Sequence, residues 1–206
     1  MKEMLWGIGG IMGGFALSVL WWYFVTHVLA PSLNFSKQVG RLTSVEGRSV
    51  YRIKVKNVGR RAVIDLTVSV TMHFRGISLY QDKEAGNNLV QFDIPVSVPY
   101  SVYLRPGRNR ILRIDFSEAM NEFSRGESTS TGRLLVKSLY PVESQWISVT
   151  FESLLRQSRG SYFTASVLCY DEWSGARKVF ISPSYGVDDI VPGVFNELDI
   201  KPDIPK

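Results

Sequence analysis

Val50-Tyr51-Arg52-Ile53-Lys54-Val55-Lys56, then Asn57-Val58-Gly59-Arg60, then Ala62-Val63-Ile64-Asp65-Leu66-Thr67-Val68-Ser69-Val70 is the stretch that decides the fold class of this chain. Two runs dominated by β-branched residues alternate apolar with polar side chains, and a short segment containing Asn57 and Gly59 separates them. Alternation at period two marks a half-buried strand, so the stretch predicts a β-hairpin. The alternation is uneven around Ile53 and leaves open which face of the first strand is buried.

Working outward, further strands are predicted at Leu89–Ile94, Ser101–Leu104, Arg110–Phe116, Arg133–Lys137, Trp146–Phe151, Tyr162–Tyr170 and Lys178–Ser182. Pro95, Pro99, Pro106-Gly107, Gly126, Gly132, Pro141 and Ser174-Gly175 punctuate them. Many short strands between regular turn signals imply a mainly β chain built as a sandwich, with one domain over 41–200 and a short tail over 201–206. Only Ser117–Phe123 and Phe151–Gln157 have a helical rhythm, and Asp82–Asn88 reads as an exposed loop. Without strands alternating with long helices, a doubly wound or barrel enzyme is excluded.

Ahead of this domain, residues Met4 to Ser36 contain no Asp, Glu, Lys or Arg. A membrane-spanning helix needs roughly 20 apolar residues at about 1.5 Å each, so the reading is a single N-terminal transmembrane α-helix over 4–30 and a juxtamembrane linker over 31–40. Trp6 near one end and Trp21, Trp22 and Tyr23 near the other suit the two headgroup levels. A cleaved signal has a shorter apolar core and a small-residue cleavage site, whereas here bulky Trp21-Trp22-Tyr23-Phe24 continue the run and Pro31 ends it. Lys37, Arg41 and Arg48 after the helix, against Lys2 before it, place the C-terminal domain in the cytoplasm. Cys169 is the only cysteine, so the chain holds no intrachain disulfide. Gly9, Gly10, Gly13 and Gly14 form two Gly-x-x-x-Gly pairs, a spacing that lets two membrane helices approach closely and makes these residues the predicted self-association face.

The catalytic inventory is thin. His27 belongs to the apolar run, leaving His73, whose neighbours Met72 and Phe74 suggest a strand. No nucleophile elbow, cysteine-protease signature, paired Cys/His spacing, phosphate-binding loop or dinucleotide turn is present, so neither catalysis, metal nor cofactor is expected. Asp171-Glu172 and Asp188-Asp189 are close acidic pairs, better suited to a hairpin turn and to a loop or helix cap than to chemistry. The formal net charge is +5, but the basic residues are scattered without a recognised binding module, which argues against nucleic acid as a partner.

Two stretches carry a family resemblance. Asn34-Phe35-Ser36-Lys37, followed by Glu46 to Asn57 and Arg60-Arg61, resembles the start of the cytoplasmic domain of inward-rectifier potassium channels. Tyr170-Asp171-Glu172-Trp173-Ser174-Gly175-Ala176-Arg177, then Tyr185, then Asp188 to Phe195, is similar to that domain's closing pattern, while Ile77 to Gln145 matches poorly. The resemblance implies an immunoglobulin-like sandwich, a cytoplasmic location and a homotetramer. It also makes juxtamembrane Lys37, followed by Arg41, the expected contact for anionic lipid headgroups. Cations near an anionic leaflet contribute about 1 kcal/mol each. Channel activity does not carry over, because a selectivity filter and a second membrane helix are missing and the nearest string, Ser184-Tyr185-Gly186, lies in the β-domain.

The expected function is thus that of a single-pass, membrane-anchored, non-enzymatic binding or regulatory protein that self-associates in the cell membrane. A subunit of an oligomeric pore is the first alternative and a membrane-tethered enzyme the second. Ser18, Thr26 and His27 are the polar side chains of the helix apart from its interfacial aromatics, a poor lining for a pore.

Overall fold

The computed structural model of the chain describes residues 2–25, 30–43, 49–75, 89–117, 120–121, 130–140, 149–196 and 198–201. In chain order its elements are helix α1 (Lys2–Tyr23), then strands β1 (Leu33–Phe35), β2 (Val39–Thr43), β3 (Ser49–Asn57), β4 (Val63–Arg75), β5 (Leu89–Ile94), β6 (Tyr100–Leu104) and β7 (Asn109–Asp115). Helices α2 (Ser130–Leu139) and α3 (Phe151–Arg156) follow, then β8 (Tyr162–Asp171), β9 (Arg177–Ile181), β10 (Ile190–Pro192), β11 (Val194–Asn196) and β12 (Asp199–Lys201).

The β strands form two five-stranded sheets and a small β11–β12 hairpin. In the first sheet β3 is central: β1 and β2 share one of its sides, β7 takes the other, and β10 joins β2 in parallel. In the second, β4 pairs with β8 along one side and with β5 and β6 along the other, and β9 extends the sheet beyond β8. Buried residues of both sheets merge in one core, with Tyr51, Ile53, Val55, Leu112 and Ile114 facing Val68, Val70, Met72, Ala165 and Val167. The mainly β reading therefore holds.

Three sequence expectations need correction. The runs on either side of Asn57-Val58-Gly59-Arg60 are strands, but β3 and β4 do not pair with each other; they lie in opposite sheets, and the turn is a crossover between layers. Alternation and a turn look alike whether the second strand folds back beside the first or crosses the core to face it. Arg133–Lys137 is part of helix α2, not a strand. Gly132, Leu135 and Val136 are buried and Leu139 half-buried, a helical spacing that a three-residue apolar run does not reveal by itself. The linker expected over 31–40 is built into the sheet: β1 pairs with the end of β3, and Pro31, Leu33, Ser36 and Val39 are buried.

Helix α3 seals the core beneath the two sheets. Thr150 caps it, accepting a hydrogen bond from the Ser153 amide at 3.1 Å while the Ser153 hydroxyl accepts from the Thr150 amide at 3.0 Å. Its Phe151 is fully buried, with ring centroids 4.8 Å from Tyr51, 5.1 Å from Phe116 and 4.8 Å from Phe163. The strand expected over Trp146–Phe151 is not formed in its described part, where Val149 and Thr150 lead into the helix and Phe151 begins it; its residues 146–148 lie outside the described residues, as do Asp82–Asn88, Arg48, His27 and part of Ser117–Phe123.

Helix α1 ends at Tyr23, with Phe24 and Val25 in a wider π-type turn, and residues 26–29 of the expected span lie outside the described residues. Met12, Phe15, Leu17, Leu20, Trp21 and Trp22 are all exposed, and a Cβ built at Gly10, Gly13 or Gly14 would meet nothing within 4 Å. Among the described residues no helix is long and apolar enough to cross a membrane. The side chains of residues 1–9, Gly9 of the expected face included, and of Ile11 lie outside them.

Candidate binding site at one end of the sandwich

Asn57, the last residue of β3, is buried and organises one end of the molecule. Its side-chain amide donates to the carbonyls of Arg61 (2.8 Å) and Leu104 (3.0 Å), and its Oδ1 accepts from the Gly59 amide at 3.0 Å. Its backbone amide donates to the Arg108 carbonyl, and its own carbonyl accepts from the Gly107 amide at 2.7 Å. One side chain thereby ties the β3–β4 crossover to the β6–β7 turn, using a residue whose donors and acceptor serve three strands' ends at once.

Ser32, just ahead of β1, docks on the same crossover. The Val58 and Gly59 amides both donate to the Ser32 carbonyl, at 2.9 and 3.1 Å. A Cβ on Gly59 would lie 2.3 Å from the Ser32 nitrogen, so only glycine admits this approach.

The β8–β9 turn completes the end. Asp171 accepts from the Trp173 amide at 3.2 Å and from the Ser174 hydroxyl at 2.7 Å, and its Oδ2 lies 3.1 Å from the Arg61 guanidinium. Burial pushes the Asp171 pKa up, but these donors outweigh it and hold the carboxyl below its ordinary value. The Arg61 guanidinium also lies over the Trp173 ring, 4.4 Å from its centroid.

Between these three turns is an open cup of about 470 Å³. Arg60, Arg61 and Arg105 bring three guanidinium groups to it; Trp173, 67 % exposed, and Tyr103 supply aromatic walls; Glu172 is the acid of the lining. Asp171 is already engaged with Arg61, and Glu172 accepts from the Tyr103 hydroxyl at 3.1 Å, while Arg60 and Arg105 are exposed. Planar donors beside an aromatic face suit a phosphate- or carboxylate-bearing ligand.

The residues expected to contact lipid fall elsewhere. Lys37 is exposed in the turn between β1 and β2. Arg41 stands opposite Tyr51, six β3 residues from Asn57, which is roughly 20 Å at about 3.3 Å per residue. There its guanidinium is 2.8 Å from Glu152 Oε1, and the Tyr51 hydroxyl donates to Glu152 Oε2, so Arg41 serves a cluster joining β2 and β3 to α3. Burial, reinforced by that carboxylate, raises the Tyr51 pKa far above its ordinary value.

The other chemistry-bearing side chains among the described residues lie apart from the cup. His73 lies on the outer face of the second sheet, stacked 4.5 Å from Tyr162 with Nε2 3.1 Å from the Thr164 hydroxyl, whereas Cys169 faces the core. Burial pushes the Cys169 thiol up to about 11, which leaves it a poor nucleophile. No group of three or more His, Cys, Asp or Glu side chains is arranged to hold a metal ion among the described residues. Asp189 caps the turn over Val187–Asp189 by accepting from the Gly186 amide at 2.8 Å. Arg105, Tyr103 and Trp173 had no sequence signal as a group; their marks were Pro106-Gly107 and Ser174-Gly175, turn signals that do not say which turns meet. No protein-family model matches this chain, and no curated protein matches it.

Proposed function

We propose that this chain is a single-pass membrane-anchored, non-enzymatic binding module, self-associating, with an immunoglobulin-like sandwich on the cytoplasmic face that receives an anionic lipid headgroup in the Arg60–Arg61–Arg105 cup. The observation that carries this reading is the docking of Ser32 on Val58 and Gly59. Ser32 follows the apolar run in the sequence and docks on the crossover that also lines the cup, which supports a headgroup of the bilayer as the cup's ligand. The anchor rests on the apolar run from Met4 and on the exposure of Met12, Phe15, Leu17, Leu20, Trp21 and Trp22 around α1. From Met12 to Trp22 the described side chains of α1 are apolar apart from Ser18, which favours an apolar surrounding. Arginine beside tryptophan favours the headgroup zone, where a charge contributes about 1 kcal/mol near an anionic leaflet and the indole is at home.

Flotation of the full chain with vesicles of neutral or anionic composition tests the headgroup. Anionic lipid should raise the bound fraction, and Arg60→Ala/Arg105→Ala should abolish that gain while Arg41→Ala leaves it. Equal binding of wild type and the double variant to anionic vesicles would sink the assignment. Extraction of membranes with alkaline carbonate tests the anchor separately, and release into the supernatant would remove it.

A further inference from the structure

The second sheet ends in β9 on one side and in β5 and β6 on the other, each paired on one side only among the described residues. A row of unpaired N–H and C=O groups is a template for another strand, and folded proteins guard such rows. Beside β4 the guard is visible. Arg110 reaches across and donates to the carbonyls of Val98 (3.2 Å), just ahead of β6, and of Tyr100 (2.7 Å), its first residue. On β9 the outer-face row is Arg177, Val179 and Ile181, with Val179 58 % and Ile181 66 % exposed. Lys178 is half-buried on the inner side and leaves that row clear.

The opposite edge carries a matching row. Leu89, Gln91 and Asp93 of β5 stand opposite Arg75, His73 and Thr71 of β4, which puts them on the same outer face of the sheet as the β9 row. All three are exposed.

We infer that β9 of one copy of this chain pairs antiparallel with β5 of the next, with Arg177 opposite Asp93, Val179 opposite Gln91 and Ile181 opposite Leu89. Strand direction supports the match. Successive strands in the order β5-β4-β8-β9 are antiparallel, so the two edges run in opposite directions. A copy rotated about an axis along the strands keeps its direction and presents β5 antiparallel to β9. Lengths agree, five residues against six. The rows are complementary at both ends, a cation meeting an anion and isoleucine meeting leucine. A one-residue slip would turn every outer side chain to the wrong face. The contact uses a different patch on each partner, so it propagates head to tail. It does not depend on α1 or on the headgroup cup.

Paired cysteines in the full-length protein test the contact. Gln91→Cys/Val179→Cys should give covalent dimers and higher species on oxidation, and neither single variant should do so; buried Cys169 provides the low background. Arg177→Asp in that background should lower the yield about fivefold, and adding Asp93→Arg should restore it, because like charges directly opposite oppose pairing. If Arg177→Asp melts early, the milder Arg177→Gln should still lower the yield about twofold. Absence of cross-links, equal dimers from Val179→Cys alone, or failure of the charge swap would overturn the pairing. The yield should persist with Gly9→Leu/Gly13→Leu in α1, and its loss would assign association to the helix instead.

Discussion

Asp171 shows how one side chain can be both legible and misleading in a sequence. Its place beside Ser174-Gly175 marks a turn, and the structure has it bonding the Trp173 amide and the Ser174 hydroxyl. Its longer-range partner, Arg61, lies on a different turn and cannot be read from spacing. The consequence is a pH dependence with a defined sign. Because the folded carboxyl titrates below its ordinary value of about 3.9, the stability it contributes is fully present above that pH and is lost as pH falls toward the folded value. Asp171→Asn should cost about 2 kcal/mol at neutral pH by removing a charge-assisted hydrogen bond to half-buried Arg61, and should flatten the loss of stability below about pH 4. Melting curves from pH 7 to 3 measure both effects, and parallel profiles for variant and wild type would rule the pair out as their source.

At the level of elements, Thr150-Phe151-Glu152 concentrates several tasks in one helical turn. Thr150 caps α3, Phe151 fills the aromatic centre and Glu152 joins Arg41 to Tyr51. The helical rhythm of Phe151–Gln157 was visible in the sequence; that Phe151 meets rings from β3, β8 and the Phe116 turn was not. Phe151→Ala should destabilise the fold by about 3–5 kcal/mol, the range for a large aromatic removed from a core. Thr150→Ala should cost about 1 kcal/mol through the lost cap. Urea unfolding distinguishes the two, and equal costs would mean that Phe151 is no more than a helix residue.

For the whole molecule, the anchor proposed for α1 sets a solvent requirement opposite to that of the β-domain. The full chain should remain monodisperse in detergent or lipid discs and aggregate when these are withdrawn. Size-exclusion chromatography reads this directly, and a monodisperse detergent-free protein would refute the anchor. The positions of Ser32 and Gly59 add a mechanical consequence, since the segment just ahead of β1 is hydrogen-bonded onto the β3–β4 crossover.

The sequence by itself determined what neighbouring residues can decide among themselves. Alternation, β-branching and turn residues set β3, β4, β5, β8 and β9, and the uncharged run from Met4 set the helix. Only the tertiary structure decided that β3 and β4 face each other across the core, that a short Leu-Leu-Val run is helical, and that Arg60, Arg61, Arg105 and Trp173 share one cup. The reason is physical: a strand's local pattern specifies its two faces but not its edge partner. Partner choice follows from how the whole set of apolar faces closes over a single core, and that closure brings distant turns together.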